Sequence, residues 1–352
     1  MPARCPTTPV RSVVIVVCLA LALASGACGS NTRQTSASPA PADPATSRTG
    51  TASPASTTPS ATTTTSATNT VTLPGTDKPE ITIGDKNYTE QFVLGQLYLQ
   101  ALQADGFSVN LNANIGPTDV TLQALASGRL AMYPEYLDTW NTAVAGNPRR
   151  FRTHFGAYLA AQQYALAHGL ELLDPTPFSD TDAIGVTVGY AAANHLSSIR
   201  DLRRVAQALT IGGPAQFEQA PGGLPAIEQT YGVMPAAFKA LAVGDQYPAL
   251  NQGTVQAADL NTTDGQLASG DYVLLADPRN VFGWGNVVPV VSAKVASAEG
   301  PAFVSTVNRV DALLTDSVMR QLNEDVDVSH QDPAAVAKQF LQTRGLLAPG
   351  QP

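Results

Sequence analysis

The sequence predicts an α/β body of two lobes with a ligand cleft between them, and three observations carry that expectation. Short apolar runs alternate with segments of helical period from residue 79 onward, the pattern of β-α units. The body, about 270 residues long, can hold two cores. Its last third ends in three consecutive helical stretches, which return to pack on an earlier sheet.

Ile81-Thr82-Ile83 forms the opening strand, Gly84 begins a turn, and Thr89 caps a helix starting near Glu90. Phe92, Leu94, Tyr98, Leu99 and Leu102 recur with helical period until Gly106, and Phe107 to Leu111 alternates as a strand. A second helix starts near Pro117, buries Val120, Leu122, Leu125 and Ala126, and stops at Gly128 before a strand over Leu130 to Tyr133. This repetition predicts a largely parallel sheet covered by helices. Further on, a helix over Phe155 to Ala167 precedes a strand over Ala183 to Val188 and a helix around Ser198 to Gln207. Leu209 to Gly212 is a strand and Leu224 to Tyr231 a helix. Strands at Val255 to Ala258 and Tyr272 to Leu275 flank a short turn at Asp264 to Ala268. Val287 to Val291 is the last strand, before helices over Ala302 to Leu313, Asp316 to Asn323 and Pro333 to Thr343.

Ahead of the body, Arg4 and Arg11 flank the apolar run Val13 to Ala24, which is too short for a stable membrane anchor and ends in small residues. Residues 1–27 therefore read as a signal peptide, and Ser25-Gly26-Ala27-Cys28 resembles the lipobox of bacterial lipoproteins, with Ser25 where Leu is preferred. Cys5 and Cys18 leave with that peptide, so the mature chain keeps only Cys28 and forms no internal disulfide. Lipidation of Cys28 attaches the protein to the outer face of the cell membrane; plain secretion and a retained anchor are the other readings. The rest of 28–78 is almost entirely Ser, Thr, Ala and Pro, a disordered spacer that cannot repay the entropy of ordering.

The precursor carries a formal charge of −8. No run of Lys and Arg interleaved with aromatics occurs, so no nucleic-acid partner is expected. Nucleophile-elbow, phosphate-loop and zinc-helix motifs are missing, and His154, His168, His195 and His330 lack metal-ligand spacing. No enzyme, cofactor or metal is expected, and the histidines read as surface or helix-end residues. Gly212-Gly213-Pro214 and Gly222-Gly223 read as turns.

Candidate ligand residues are polar and aromatic groups at strand ends. Asp85-Lys86-Asn87-Tyr88-Thr89-Glu90-Gln91 follows the first strand, where Lys86 can neutralise an anion or stand solvated beside a cap. Tyr133 and Tyr136, in Tyr133-Pro134-Glu135-Tyr136, and Trp140 can hold a cation against their rings or pack in the core.

These residues carry a family resemblance. Ile83 to Phe92 is similar to the G-S-K-x-F-T-E-Q opening of substrate-binding proteins of osmoprotectant importers, those for glycine betaine, choline and related quaternary amines. Tyr133-Pro134-Glu135-Tyr136-Leu137-Asp138-Thr139 looks like their Y-P-E-Y-T-G-T. Gly212-Gly213-Pro214, Leu224 to Gly232, Thr263-Asp264-Gly265 and the tail through Leu341 match in order. The resemblance implies a two-lobed, type II periplasmic-binding fold over residues 79–347: lobe 1 in 79–182, lobe 2 in 183–284, and a return to lobe 1 in 285–352. It implies a monomer that captures a small solute in the cleft and delivers it to an ABC permease. A lipid-anchored sensor or partner-binding module on the same fold is the alternative.

The family's ligand-binding box implies Lys86, Asn87, Tyr88, Tyr133, Tyr136, Asp182, Thr263, Trp284 and Asn286 as site residues. The match is uneven: Asp182 and Asn286 stand where tyrosines are expected, Trp284 replaces another aromatic position, and Ala220 stands where Arg is common. Fewer rings weaken a cation-π box and a missing Arg disfavours a zwitterion, so a solute larger or more polar than glycine betaine is expected.

Overall fold

The structure is a computed structural model and describes residues 72–348. The signal peptide, Cys28 and most of the spacer lie outside the described residues. The end of the spacer, expected to be free, packs on the body: Gly75 N donates to Asp105 O, and Lys78 Nζ donates to Ala298 O.

The strands are β1 (Ile81–Gly84), β2 (Val109–Asn112), β3 (Met132–Tyr136), β4 (Leu170–Leu172), β5 (Asp182–Thr187), β6 (Thr210–Gly213), β7 (Ala237–Ala240), β8 (Ala257–Asn261), β9 (Tyr272–Leu274) and β10 (Val287–Ser292). They form two five-stranded sheets, β2-β1-β3-β10-β4 in lobe 1 and β7-β6-β8-β5-β9 in lobe 2. Both sheets are mixed rather than largely parallel. In each, three neighbouring strands are parallel, while β10 or β5 runs against its neighbours on both sides. Those two reversed strands follow the places where the chain passes between lobes, which local β-α periodicity does not encode.

The helices are α1 (Thr89–Ala104), α2 (Thr118–Ala126), α3 (Leu137–Thr139), α4 (His154–Ala167), α5 (Val188–Asn194), α6 (Leu224–Tyr231), α7 (Gln246–Asn251), α8 (Ala293–Glu299), α9 (Pro301–Asp311), α10 (Asp316–Asn323) and α11 (Pro333–Thr343). Val93, Leu94, Leu97, Tyr98, Ala101 and Leu102 of α1 are buried at helical spacing against α9, α10 and α11, so the final helices do return to lobe 1. Each fully buried side chain of this kind stabilises by about 1.5–3 kcal/mol. A second cluster, containing Tyr133, Trp140 and Ala157, Ala161 and Ala165 of α4, covers the opposite face of that sheet. Lobe 2 has its own pair of clusters, so each sheet is a middle layer.

Local expectations change at several places. Val120 and Ala126, expected on the buried side of α2, are exposed, and Thr121, Ala124 and Leu125 are buried there. Thr89 is the first residue of α1 rather than its cap; Tyr88 occupies the cap position and supplies no side-chain bond. Residues 198–207 form two 3-10 turns, Ile199–Arg204 and Ala206–Ala208, behind a Ser198–Asp201 capping box. Tyr133-Pro134-Glu135-Tyr136 does not follow a strand but is β3 itself. Pro134 is tolerated there because it stands opposite Pro289 of β10. Leu137 donates to Asn286 O and Ser292 to Ala131 O, and this alternation leaves the proline pair at a site where no ladder bond joins the two residues.

The chain crosses between lobes twice, along 176–182 and 282–286. Ser179 and Asn286 form an antiparallel bridge, and Asp180 N donates to Gly285 O at 3.0 Å. A Cβ on Gly285 would lie 1.6 Å from Asp180 O, and one on Gly283 1.9 Å from an Asp138 carboxylate oxygen, so Gly285 admits the backbone of the other crossing segment and Gly283 the Asp138 carboxylate.

Candidate functional site

At that crossing lies a cleft of about 500 Å³, lined by Tyr88, Tyr136, Asp138 and Thr139 from lobe 1, by Asp180, Thr181, Phe282 and Gly285 of the crossing segments, and by Asp182 and Asn261 from lobe 2. Tyr88 follows β1 and Tyr136 ends β3, so neighbouring parallel strands deliver both to one sheet edge. Their rings stack with centroids 5.9 Å apart and planes 27° apart. Tyr88, 38 % exposed, is the accessible member.

Behind the rings is a buried polar network. The Tyr136 hydroxyl donates to Glu90 Oε1 at 2.7 Å, and Asn323 Nδ2 donates to Glu90 Oε2 at 3.0 Å. The Thr263 hydroxyl reaches both Glu90 and Asp180. Lys86 is buried as an ion pair with Glu135 and also donates to Thr118 Oγ1 at 3.1 Å. Its Nζ lies 5.1 Å from the Tyr136 ring centre and 6.0 Å from that of Tyr88. The ammonium is therefore neutralised internally and is not presented to the cleft, which corrects the reading of Lys86 as a free anion clamp.

The cleft is acidic. Burial, with Glu90 and Asp182 nearby, pushes the Asp180 carboxyl well above the usual range. Burial also raises Asp182 and Asp138. No Lys or Arg lines this cleft, whose Asp138 and Asp180 are half-buried and whose Asp182 is exposed; Arg149 and Arg150 line the recess that adjoins it at Asp138 and Asp182. A cation bound among these carboxyls would offset their mutual repulsion.

Of the residues expected from the sequence, the structure brings Tyr88, Tyr136 and Asp182 together on the cleft. Trp284 lines an adjoining recess of about 470 Å³ with Phe151, Arg149 and Arg150, and its Nε1 donates to Phe151 O. Three others have structural partners instead. Tyr133 is fully buried on the other face of β3 from Tyr136, because alternate residues of a strand point to opposite sides. Asn286 is a clamp: its Nδ2 donates to Thr176 O and Phe178 O, tying one crossing segment to the other. Thr263 is buried beneath the cleft as a support for Glu90 and Asp180. Asn87 is exposed and does not line the cleft. Trp140, also considered from the sequence, is a core residue whose Nε1 donates to Ala161 O. The four histidines are exposed.

The sequence reading missed Asp138, Asp180 and Asn261. Two of them carried a signal. Asp138 lies inside the tyrosine motif, and Asp180 is two residues before Asp182 on the crossing segment. Among the described residues no cluster of His, Cys, Asp or Glu has the arrangement of a metal site, and no helix is long and apolar enough to cross a membrane.

Comparison with known proteins agrees with this architecture. Residues 79–343 match the family described as the substrate binding domain of ABC-type glycine betaine transport systems. The glycine-betaine-binding protein of Pseudomonas aeruginosa is 30 % identical over 283 residues, covering 77 % of this chain and 90 % of the relative. The glycine betaine-binding protein YehZ of Escherichia coli is 29 % identical over 289 residues, covering 78 % and 94 %. The solved apo structure of YehZ superposes with a TM-score of 0.68 over 76 % of this chain and 99 % of that one. A structure titled as a glycine betaine/carnitine/choline ABC transporter gives 0.72 over the same shares at 22 % identity. The matched family comprises extracytoplasmic solute-binding proteins and is not a class of enzymes. Two sheets that meet at an aromatic and acidic cleft, matched along the whole described body, make this chain a member of the family of substrate-binding domains of ABC-type glycine betaine transport systems.

Proposed function

We propose that this protein captures a cationic solute of the quaternary-amine class, without a carboxylate of its own, and presents it to an ABC permease. The carrying observation is the lining of the cleft: a stacked tyrosine pair and three aspartates, with no basic side chain. A quaternary ammonium cannot donate a strong hydrogen bond, so ring faces and diffuse negative charge are what recognise it. A zwitterion would bring its carboxylate against Asp138, Asp180 or Asp182, and the lining of the cleft itself offers no Lys or Arg to receive it; Arg149 and Arg150 line the adjoining recess instead. Lys86, the nearest ammonium, is paired with Glu135.

Calorimetric titration with choline and glycine betaine tests this reading. Choline is expected to bind saturably, and glycine betaine at least roughly tenfold more weakly, a difference of about 1.4 kcal/mol. Equal or tighter binding of glycine betaine refutes it.

The same proposal covers the cellular setting. The protein is exported, carries lipid on Cys28, and works as a monomer tethered to the outer face of the membrane by its Ser/Thr/Pro spacer. Incorporation of labelled fatty acid that persists in Cys28→Ala would remove the anchor from the proposal.

A further inference from the structure

Next to the tyrosine cleft, and sharing Asp182 and Asn261 with it, lies a second recess of about 570 Å³, lined by lobe 2 and by Asp327 of the segment that returns to lobe 1. Its floor is Asp259 of β8. The strand register places Asp182 opposite Asn261 and Asp259 opposite Ile184, so Asp182, Asn261 and Asp259 stand on one face of the lobe 2 sheet. Asp264, Asp327, Gln216, Gln246 and Gln266 add the rest of its acid and amide side chains.

Three independent features point to a ligand group here. Asp259 is only 6 % exposed, yet its Oδ1 has no hydrogen-bond partner among the described residues although the side chain lines the recess. A buried carboxyl oxygen without a partner is a costly arrangement that a bound donor relieves. Next, Gly213 leaves the room Asp259 occupies, since a Cβ there would lie 2.9 Å from the Asp259 Cβ. Finally, no Lys or Arg lines the recess to neutralise its acids, and Ala220 leaves its side of the wall short. The charged neighbours of Asp259 are Asp182 and Asp264; together with burial they push its carboxyl up to about 9.

We propose that this recess is a subsite for a second, hydrogen-bond-donating cationic group of the solute, anchored by Asp259 and Asp182. The solute class is then an amine that carries a quaternary ammonium at one end and a protonated primary amine or guanidinium at the other. The quaternary end rests on the Tyr88–Tyr136 pair, as the reading above requires, and the donor end reaches Asp259. A primary ammonium suits this recess and not the first, because it can satisfy the Asp259 oxygen directly.

The test uses two matched probe series of increasing spacer length: ω-aminoalkyl-trimethylammonium ions, and alkyl-trimethylammonium ions that end in methyl. The proposal expects the aminoalkyl member of the fitting length to bind at least about tenfold more tightly than its methyl counterpart. In Asp259→Asn that preference shrinks to within about twofold while the methyl-ended probe keeps its affinity. Titration in buffers of different ionisation heat supplies a second readout. Near neutral pH the parent protein releases a proton on binding the amine probe, and Asp259→Asn releases fewer. Equal affinity for both series at every length overturns the subsite while leaving quaternary-amine capture intact. A preference that survives both Asp259→Asn and Asp182→Asn overturns it as well. Failure of both series to bind removes the capture reading on which it rests.

Discussion

Replacing Asp259 with Asn should make the protein more stable, by an amount that grows with pH. In the native protein burial, aided by Asp182 and Asp264, raises the Asp259 carboxyl from 3.8 to about 9. In the unfolded chain it returns to the ordinary carboxylate value. Between these values the native state holds a proton that the unfolded state has released, so stability falls as pH rises. One proton corresponds to about 1.4 kcal/mol per pH unit. Over the three units from about pH 5 to about pH 8 the upper bound is therefore roughly 4 kcal/mol. The side chain is almost fully buried, so solvent screening takes little from this figure. An amide stays neutral in both states and carries none of this dependence. Urea unfolding of parent and Asp259→Asn at several pH values across this range measures the difference directly. The gap in unfolding free energy should widen steadily as pH increases. Parallel pH profiles for the two proteins would refute the reasoning, because Asp259 would then be ionised in the fold.

Other substitutions probe the rest of the site. Tyr88→Ala removes the accessible ring of the stacked pair and should weaken binding of a quaternary ammonium by about 0.5–2 kcal/mol, read by calorimetry. Lys86→Met strands Glu135 in the interior and should cost about 3–5 kcal/mol of stability. The double change Lys86→Met with Glu135→Leu should recover most of that loss, as denaturant midpoints would show. Gly285→Ala drives a methyl into the backbone of Asp180 and should lower the melting temperature; an unchanged melting temperature would mean that the crossing segments yield freely.

The fold was legible because its information is local and repeated. The periods of α1, α6, α10 and α11 follow directly from where their apolar residues fall, and the second half of α1 buries the stripe that the sequence shows. What escaped was non-local. The antiparallel course of β5 and β10 depends on where the chain changes lobes, and β7, with only one partly buried residue, has no apolar pattern to announce it. Tyr88, Tyr136 and Asp182 were legible as cleft-lining candidates because the family resemblance marks their positions, and all three line the cleft. Tyr133 was misread because the strand was expected to end at it, whereas β3 runs on to Tyr136 and leaves Tyr133 inside the strand, on the face opposite Tyr136. Lys86 was misread because its partner Glu135 is 49 residues away in sequence. Asp259 carried no signal at all: an aspartate in an apolar run becomes informative only when Gly213 and the absence of a cation beside it are seen together.

The pairing of the two crossing segments has a consequence for how such a protein can change over generations. Bridged residues such as Ser179 and Asn286 stand about 5 Å apart, so the stretch that builds lobe 2 leaves lobe 1 and re-enters it at almost the same point. To lobe 1 the whole of lobe 2 is a long loop with touching ends, and a tight turn could close the gap. The half of the pocket that carries Asp259 can thus be exchanged as a unit without rethreading the half that carries the tyrosines. Grafting the Asp182-to-Phe282 segment onto a related scaffold should transfer any preference for a second cationic group and leave the aromatic half as it was. A graft that folds yet keeps the scaffold's own preference would show that the two halves cannot be inherited separately.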